Sequence, residues 1–363
     1  MATLAKFDQS QHLRFSAESL HSFAVEVFCS SGLDREPAIL VVDSLVDANL
    51  RGVDTHGLTR LLHKYVERVR EQRVNLKPDI RIIRETPSTA VIDGDNGLGA
   101  IVSRFAIDVA IQKAKEAGSC WIGVRRSNHF GACGYWTRLI SEADMIGFGV
   151  TNGPSNMAPW GGFTPYHSTN PISFAAPTGK GWNIVLDFST AVAARGNMIL
   201  FQAMGLPIPE GWSFDAQGNP TTDADEAMKG TVVPIAGHKG YGLSFFIDLL
   251  CGILAGAQFG PHIGRMYGED DREQDVGHVF SSVNIEAMED IEVFKRSVDQ
   301  MIDEVHDIEP KKGFERIFVP GEIEAETTER RRIEGIPIPD EIIEEFRRLS
   351  EETGVPMPSE NGG

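Results

Sequence analysis

Apolar residues recur at helical spacing near both ends of the chain and at strand spacing in its middle, and this change of period constrains the fold most. Three helices are predicted in the first 75 residues, beginning near Ser16, Asp34 and Thr55, and another is predicted over residues 340–351. Between them, short apolar segments alternate with glycine-rich turns and predict strands at Thr89–Asp93, Cys120–Val124, Ile146–Thr151, Ile172–Ala176 and Ile184–Phe188. The pattern therefore predicts an α/β protein with a helical domain formed from both termini.

The expected domain boundaries follow from where the period changes. Residues 1–75 together with residues 300–363 form the predicted helical domain, and residues 76–299 form the predicted α/β domain. Within the α/β domain, the pattern also predicts helices over residues 103–117, 135–143 and 242–255. It predicts a long loop over residues 205–230.

The charge and the cysteines narrow the classes of function. The chain has 34 basic and 52 acidic side chains and a net charge of −18, which disfavours binding to nucleic acid or to an anionic membrane. No apolar run reaches the length of about 18 residues that a membrane span needs. The four cysteines are far apart and form no CxxC pair, so reduced thiols and a cytoplasmic location are expected. No HExxH motif and no close His/Cys cluster occurs, and a protein-bound metal is therefore not expected.

The motif RGVDTHGLTR, residues 51–60, combines groups that suit an anion. Thr55 lies at the predicted start of a helix, where backbone N–H groups and the helix dipole favour negative charge. His56 and Arg60 are four residues apart and would share a helix face, and arginine can hold a carboxylate with two parallel hydrogen bonds. The alternative is a capping threonine, a surface histidine and an arginine paired with a nearby acid.

The motif RRSNHFGACGYW, residues 125–136, follows a predicted strand and runs into a helix. His129 would lie on this strand-to-helix turn, where α/β proteins often place reactive groups. An imidazole titrates near neutral pH and can take and return a hydroxyl proton. The alternative is a histidine that caps the helix.

Several small-residue turns, each after a strand or before a helix, could hold phosphate groups. They are residues 151–162, 168–177, 186–197 and 237–243, and Lys239 in the last of them adds a positive charge. No GxGxxG sequence follows a strand, so the usual Rossmann fingerprint is missing.

Taken in order, these motifs resemble the type 2 malate/L-lactate dehydrogenase family, which also includes sulfolactate and ureidoglycolate dehydrogenases and cyclic ketimine reductases. The resemblance rests on DTHG (54–57), SNHFG (127–131), STNP (168–171), LDFST (186–190), KGYGL (239–243) and DVGH (275–278). It implies a homodimer whose cofactor domain has a mixed, mainly antiparallel, non-Rossmann sheet. It further implies that the α/β domain binds NAD or NADP and that the helical domain serves dimerisation and the substrate side.

Site residues carry over from the resemblance by position. His129 matches the catalytic acid/base, and Thr55, His56 and Arg60 match substrate-side residues. The positions that match cofactor contacts, or lie beside them, are Gly153, Thr169, Asn170, Asp187, Phe188, Ser189 and Lys239. Two departures stand out, because relatives often have serine at the position of Gly153 and lysine at that of Asn197.

The activity that the resemblance implies is hydride transfer between nicotinamide and a small 2-hydroxy acid or 2-keto acid. The substrate would be a small anionic carboxylate of the malate, lactate or sulfolactate type. Two alternatives stay open, reduction of cyclic 2-ketimine carboxylates such as piperideine-2-carboxylate and oxidation of ureidoglycolate.

Overall fold

The computed structural model describes residues 12–203, 205–266, 268, 270 and 272–360. The chain divides into two compact units, a terminal unit assigned to Met1–Leu76 and Glu322–Gly363 and a sheet unit assigned to Lys77–Gly321. Residues 1–11 and 361–363, which the sequence analysis places in the helical domain, lie outside the described residues.

The helices and strands have the following bounds. The helices are α1 (Ala17–Ser30), α2 (Arg35–Leu50), α3 (Leu58–Arg70), α4 (Gly99–Ala117), α5 (Cys133–Ser141), α6 (Arg195–Ala203), α7 (Ala224–Lys229), α8 (His238–Asp248), α9 (Ile291–His306), α10 (Glu322–Glu334) and α11 (Asp340–Thr353). The strands are β1 (Leu13–Phe15), β2 (Arg81–Glu85), β3 (Thr89–Asp93), β4 (Ser119–Ser127), β5 (Met145–Thr151), β6 (Ile172–Ala176), β7 (Ile184–Phe188), β8 (Ser213–Phe214), β9 (Pro220–Thr221), β10 (Thr231–Val232), β11 (Val276–Asn284) and β12 (Ile336–Ile338).

The terminal unit packs five helices, α1 to α3 with α10 and α11. Ser16 caps α1 as predicted, because its side chain accepts a hydrogen bond from the N–H of Ser19. The two segments of this unit are joined by β1, which pairs with β12 in an antiparallel ribbon. The ring of Phe23 on α1 lies 5.4 Å from that of Phe346 on α11, so the apolar faces of these two helices share one core.

A seven-stranded sheet forms the centre of the sheet unit. Its strand order is β2-β3-β4-β11-β5-β6-β7. Only the β3–β4 pairing is parallel among these strands, so the predicted mixed, mainly antiparallel sheet is confirmed.

The central strand of the sheet, β11, was not predicted from the sequence. It pairs with β4 on one side and with β5 on the other. Polar residues interrupt its apolar pattern, yet His278 and Ser282 are fully buried in it. A strand covered on both faces loses the alternation by which strands are recognised in a sequence.

Helices cover the two faces of the sheet. Cys120 on β4 faces α4, with its thiol 3.2 Å from the carbonyl oxygen of Ala110. On the opposite face, a Cβ atom at Gly123 would lie 3.0 Å from the Cβ of Ala255, so glycine lets the chain after α8 approach closely. Here α8 begins at His238, four residues before the predicted start, and continues as one π-helical turn, Leu249–Leu254.

The region predicted as a loop, residues 205–230, contains short regular elements. Strands β8 and β9 and helix α7 lie within it, and β10 follows to complete a small sheet of order β10-β8-β9. The many turn residues of this region hid elements that are only two to six residues long.

The terminal unit begins its second segment at Glu322, not at residue 300 as the sequence analysis expects. Helix α9 belongs to the sheet unit instead. Asp299 accepts a hydrogen bond from the N–H of Gly179, and Asp303 pairs with Lys180. Further along, the carbonyl oxygen of Pro320 accepts from the N–H of Val185 on β7. These contacts hold residues 300–321 to the sheet.

No helix in the part of the chain that the structure describes is long and apolar enough to cross a membrane.

Candidate active site

The DTHG motif forms a tight turn before α3. Residues Asp54–His56 form a 3₁₀ turn, and α3 begins only at Leu58. The prediction that Thr55 lies at the helix start is therefore wrong by three residues. The hydroxyl of Thr55 lies 3.0 Å from Nδ1 of His56, so these two predicted substrate-side residues contact each other.

The side chain of Asn49 is the reason that the helix starts late. Its Oδ1 accepts the N–H of Leu58 at 2.7 Å, which caps α3 from outside. A Cβ atom at Gly57 would lie 2.3 Å from this amide, so only glycine fits at that position. Asn49 also donates to Asp54 at 2.7 Å and is fully buried. The motif is thus shaped by a residue outside it.

Arg331 on α10 braces the same turn. Its guanidinium holds the Asp54 carboxylate with two hydrogen bonds of 2.7 and 2.9 Å and also donates to the carbonyl oxygen of Asn49. Only 3% of Arg331 is exposed. Arg331 stands in a basic run, Arg330–Arg332, of the kind that usually forms a solvated face, yet it is buried here. The missed signal is Asp54, a carboxylate in the motif that needs a cation.

The electrostatics of this turn favour a neutral imidazole beside a permanent cation. Burial, and then the positive charge of Arg60, lower the pKa of His56 to about 4. Near pH 7, His56 therefore offers hydrogen bonds without charge, and Arg60 on α3 supplies the charge. A hydroxyl, a neutral imidazole and a guanidinium are a chemically suitable set for one carboxylate.

His129 lies on the turn between β4 and α5, as predicted. Strand β4 ends at Ser127 and α5 begins at Cys133. The N–H of His129 donates to Oε1 of Gln274 at 3.3 Å, and Nδ1 lies 3.4 Å from the N–H of Gly131. The residue is half-buried. A half-buried imidazole on a turn anchored through its backbone suits proton exchange with a small ligand.

Asp187 on β7, a predicted cofactor residue, holds the helix that follows the His129 turn. Its Oδ2 accepts the N–H of Gly134 at 2.6 Å, in the first turn of α5. A Cβ atom at Gly134 would lie 3.0 Å from this oxygen, so the absence of a side chain lets β7 and α5 approach. Phe188 follows on β7 and therefore points to the opposite face of the sheet.

Four other cofactor candidates meet around residues 168–170. Ser189 donates its hydroxyl to the carbonyl oxygen of Thr169, and Asn170 donates its amide to the carbonyl oxygen of Ser244 on α8. The hydroxyl of Ser244 in turn donates to the carbonyl oxygen of Ser168. Gly153 packs against the same serine, because a Cβ atom at Gly153 would lie 3.0 Å from Oγ of Ser168. The structure thus brings Thr169, Asn170, Ser189 and Gly153 together.

Lys239 lies exposed in the first turn of α8. Two hydrogen bonds connect this turn to the loop after β7. The carbonyl oxygen of Ile235 accepts the N–H of Gly240, and the carbonyl oxygen of Thr190 accepts the N–H of Ile235. A Cβ atom at Gly240 would lie 2.3 Å from the carbonyl oxygen of Ile235, which is why this contact needs glycine. The positive helix end and the lysine side chain suit a phosphate group.

The loops of residues 168–170 and 189–190 meet α8 at a junction that contains two buried polar atoms. Neither atom has a hydrogen-bond partner among the residues that the structure describes. They are Oδ1 of Asn170 and Oγ1 of Thr190, and both residues are fully buried. A buried polar atom without a partner costs free energy unless a ligand or water completes it. The chemistry of the junction therefore fits a polar dinucleotide.

A metal is not suggested by the described part of the chain, where no three His, Cys, Asp or Glu side chains are grouped to hold one. All four cysteines are free thiols, and three of them are buried. The candidates divide between the units, with Thr55, His56 and Arg60 in the terminal unit and the others in the sheet unit.

Comparison with known proteins gives a family and several relatives. The model of the malate/L-lactate dehydrogenase family matches residues 15–347. A malate dehydrogenase of Pyrococcus horikoshii is 40% identical over 90% of the chain and 92% of the relative. An L-sulfolactate dehydrogenase of Methanocaldococcus jannaschii is 39% identical over 88% of the chain and 92% of the relative. The solved structure of the P. horikoshii enzyme superposes with a TM-score of 0.87, covering 95% of this chain and 97% of its own.

Proposed function

Because the chain belongs to the malate/L-lactate dehydrogenase family, we propose that it transfers a hydride between a nicotinamide dinucleotide and a small 2-hydroxy or 2-keto acid. The observation that carries this proposal is the 2.6 Å hydrogen bond from the N–H of Gly134, in the first turn of the helix that follows His129, to the candidate cofactor residue Asp187 on β7. Hydride transfer needs the cofactor and the proton-transferring group next to each other, and this bond supports the proposal that they are neighbours.

The proposed cofactor site consists of dispersed turns of the sheet unit, without a Rossmann fingerprint. Its residues are Gly153, Thr169, Asn170, Asp187, Phe188, Ser189 and Lys239. Bound there, NAD or NADP supplies the acceptor or donor of the hydride. The unpartnered oxygen of Asn170 offers an acceptor for a ligand N–H or hydroxyl, and Lys239 offers a charge for a phosphate. Titrating NADH and NADPH into the protein and following nicotinamide fluorescence would tell which of the two binds.

His129 is the proposed proton carrier. Its imidazole takes the proton of the substrate hydroxyl during oxidation and returns it to the keto oxygen during reduction. A positioned acid/base of this kind contributes about 10²–10⁴ to the rate. Thr55, His56 and Arg60 are the proposed contacts of the substrate carboxylate, with Arg60 as the charged partner.

The experiment that tests the acid/base assignment is His129→Asn. We expect kcat to fall by roughly 10² or more while the Kd for the reduced cofactor stays within about twofold. The matched control is His262→Asn, at a histidine in a 3₁₀ turn of the same unit that no step of the mechanism uses. Turnover of His129→Asn close to that of the unmodified enzyme would refute the assignment.

The side chain of the substrate distinguishes the candidate reactions. Relatives named malate and L-sulfolactate dehydrogenase suggest a second acidic group, whereas an E. coli relative, 32% identical over 90% of the chain, is named ureidoglycolate dehydrogenase. Steady-state assays with oxaloacetate, sulfopyruvate, pyruvate and piperideine-2-carboxylate, together with oxidation of ureidoglycolate, separate these substrates. We expect the highest kcat/KM with a 2-keto acid, and a clear preference for piperideine-2-carboxylate would contradict the proposal.

We further propose a cytoplasmic homodimer. Free thiols are favoured by a reducing compartment. On one face of the sheet, register partners place a row of exposed or half-buried apolar side chains across strands β4 to β7, namely Trp121, Phe148, Phe174 and Leu186. Of these, Trp121 is 47% and Phe174 41% exposed. A contiguous apolar row of this kind is typical of a protein–protein interface, and a second copy of the chain is the proposed occupant.

A further inference from the structure

The motif DVGH has no role in the proposed chemistry, yet with the preceding Gln274 it holds the loop that carries His129. We name Gln274–His278 the support segment and Arg126–Phe130 the His129 loop. The support segment leads into β11, and the His129 loop leaves β4, which is the neighbour of β11 in the sheet. Both belong to the sheet unit.

Two side chains of the support segment bind backbone N–H groups of the His129 loop. Oδ1 of Asp275 accepts the N–H of Arg126 at 2.7 Å. Oε1 of Gln274 accepts the N–H of His129 itself at 3.3 Å. These two hydrogen bonds hold the loop at its first residue and at the histidine.

His278 holds the loop from below. Its Nε2 bonds the hydroxyl of Ser127 at 2.8 Å, and its Nδ1 bonds the hydroxyl of Thr151 on β5, also at 2.8 Å. Its ring stacks on Phe130 with 4.5 Å between centroids and 2° between planes. His278 therefore contacts the residues two positions before and one position after His129.

The backbone of both segments is strained where they meet. Arg126 has φ of 49° and Asp275 has φ of 46°, in the left-handed region that residues other than glycine seldom adopt. The register between β11 and β4 shifts between Val276 and His278, which is a β-bulge. Bulges bend a strand and redirect side chains, and such strain persists only when surrounding contacts maintain it.

Gly277 completes the arrangement. A Cβ atom there would lie 2.2 Å from the carbonyl oxygen of Cys251, so a side chain would push β11 away from the π-helical turn. The hydrogen bonds of Gln274, Asp275 and His278 and the ring contact of His278 thus reach residues 126–130, while Gly277 keeps β11 close to the π-helical turn.

We propose that the support segment is a positioning device that sets the orientation of the His129 imidazole toward the substrate. This inference rests on the proposed role of His129. A displacement of about 1 Å at a reacting group can cost on the order of 10² in rate, so loss of one anchor should act on turnover more than on binding.

The test uses Asp275, because its oxygen can be removed or retained by small changes. Glycine tolerates the left-handed backbone, so Asp275→Gly removes the acceptor without adding strain, and Asp275→Asn retains an oxygen acceptor. Asn284→Ala is the matched control, since Asn284 also accepts a backbone N–H, that of Glu286, but at the far end of β11. Ser127→Ala is the second loop variant, which removes the hydroxyl that His278 bonds.

We expect kcat of Asp275→Gly to fall about tenfold, with the Kd for NADH or NADPH within about twofold of the unmodified enzyme. Asp275→Asn should recover most of this loss, Ser127→Ala should lower kcat at least threefold, and Asn284→Ala should leave it unchanged. Should Asp275→Gly fail to fold, as judged by thermal unfolding, Ser127→Ala decides by the same readouts.

Unchanged kcat in folded Asp275→Gly and Ser127→Ala, or an equal loss in Asn284→Ala, would overturn the positioning role. His129→Asn is measured in parallel. If that variant is inactive while Asp275→Gly and Ser127→Ala are fully active, only the positioning role of the support segment is refuted. If His129→Asn itself is active, the proposed acid/base is refuted.

Discussion

At the scale of single residues, the substrate-side turn separates charge from hydrogen bonding. The pKa of His56 is lowered to about 4 by burial and by Arg60, so protonation of His56 is suppressed at neutral pH. Arg60 then carries the positive charge alone. An overall charge of −18 repels an anionic substrate elsewhere on the surface, which makes this one cation more consequential.

Replacing Arg60 by lysine keeps the charge and removes the planar fork. We expect Arg60→Lys to lower kcat/KM for the keto acid by about tenfold or more, because a bidentate carboxylate contact becomes a single one. Steady-state kinetics measure this, with Arg332→Lys as the control at a 61% exposed arginine side chain of the same unit. If kcat/KM barely moves and only thermal stability falls, Arg60 is structural.

Arg331 should influence the substrate side without touching the substrate. Arg331→Met leaves Asp54 without its two ionic hydrogen bonds, which should loosen the 3₁₀ turn that carries Thr55 and His56. We expect KM for the keto acid to rise about fivefold and unfolding to cost about 1–3 kcal/mol less, since Asp54 is partly exposed. Kinetics and thermal unfolding of Arg331→Met, compared with Arg332→Met, test this, and an unchanged KM would show that the brace serves stability alone.

The sequence identified the chemical residues better than their supports. Residue type alone identifies the short motifs that contain the chemical residues, which are Thr55, His56, Arg60 and His129. Asn49 was missed because it lies outside the motif and contacts it across a turn, five residues before Asp54. Arg331 was missed because its partner Asp54 is 277 residues away in the sequence. A buried ion pair between distant residues leaves no periodic signal.

At the scale of elements, five of the seven strands of the large sheet were predicted, whereas the edge strand β2 and the central strand β11 were not. Strands β3, β6 and β7 have the predicted bounds, because their apolar residues are flanked by turn signals. β11 carries His278, Ser281 and Ser282 in buried positions, where hydrogen bonding to neighbouring strands replaces apolar packing. Local composition cannot reveal those partners.

The buried histidine of β11 should make stability depend on pH. Burial lowers the pKa of His278 to about 3, against about 6.5 in an unfolded chain. Between these values the unfolded state binds the extra proton, so this contribution to stability is present above about pH 6.5 and is lost as pH falls. Its slope is at most about 1.4 kcal/mol per pH unit. We expect Tm to fall from pH 6.5 to 4.5, and to fall less steeply in His278→Gln. An equal pH dependence in that variant would assign the effect to other groups.

At the scale of the whole molecule, the two ends of the chain build one unit and the middle builds the other. The change in apolar period leads us to expect a helical domain of residues 1–75 and 300–363, whereas the compact units divide at Glu322. Helix α9 has few buried residues, with Ile302 as its one fully buried apolar side chain among those described. Its attachment to the sheet unit runs through ion pairs and backbone hydrogen bonds, which an apolar pattern does not record.

The proposed dimer would cover the apolar row of the sheet, which consists of Trp121, Phe148, Phe174 and Leu186. Phe174→Lys introduces a charge into that row, beside Phe148 at 5.0 Å between rings, and Met288→Lys introduces the same charge at a methionine that is 82% exposed elsewhere in the sheet unit. Desolvating a lysine in an interface is costly, so we expect Phe174→Lys to shift the dimer–monomer equilibrium toward monomer at least tenfold and to lower specific activity on dilution. Light scattering and activity measured over the same dilution series test this, with Met288→Lys expected to behave like the unmodified enzyme. A fully active monomer would show that association is not needed for catalysis, and a Phe174→Lys dimer of unchanged affinity would place the interface elsewhere.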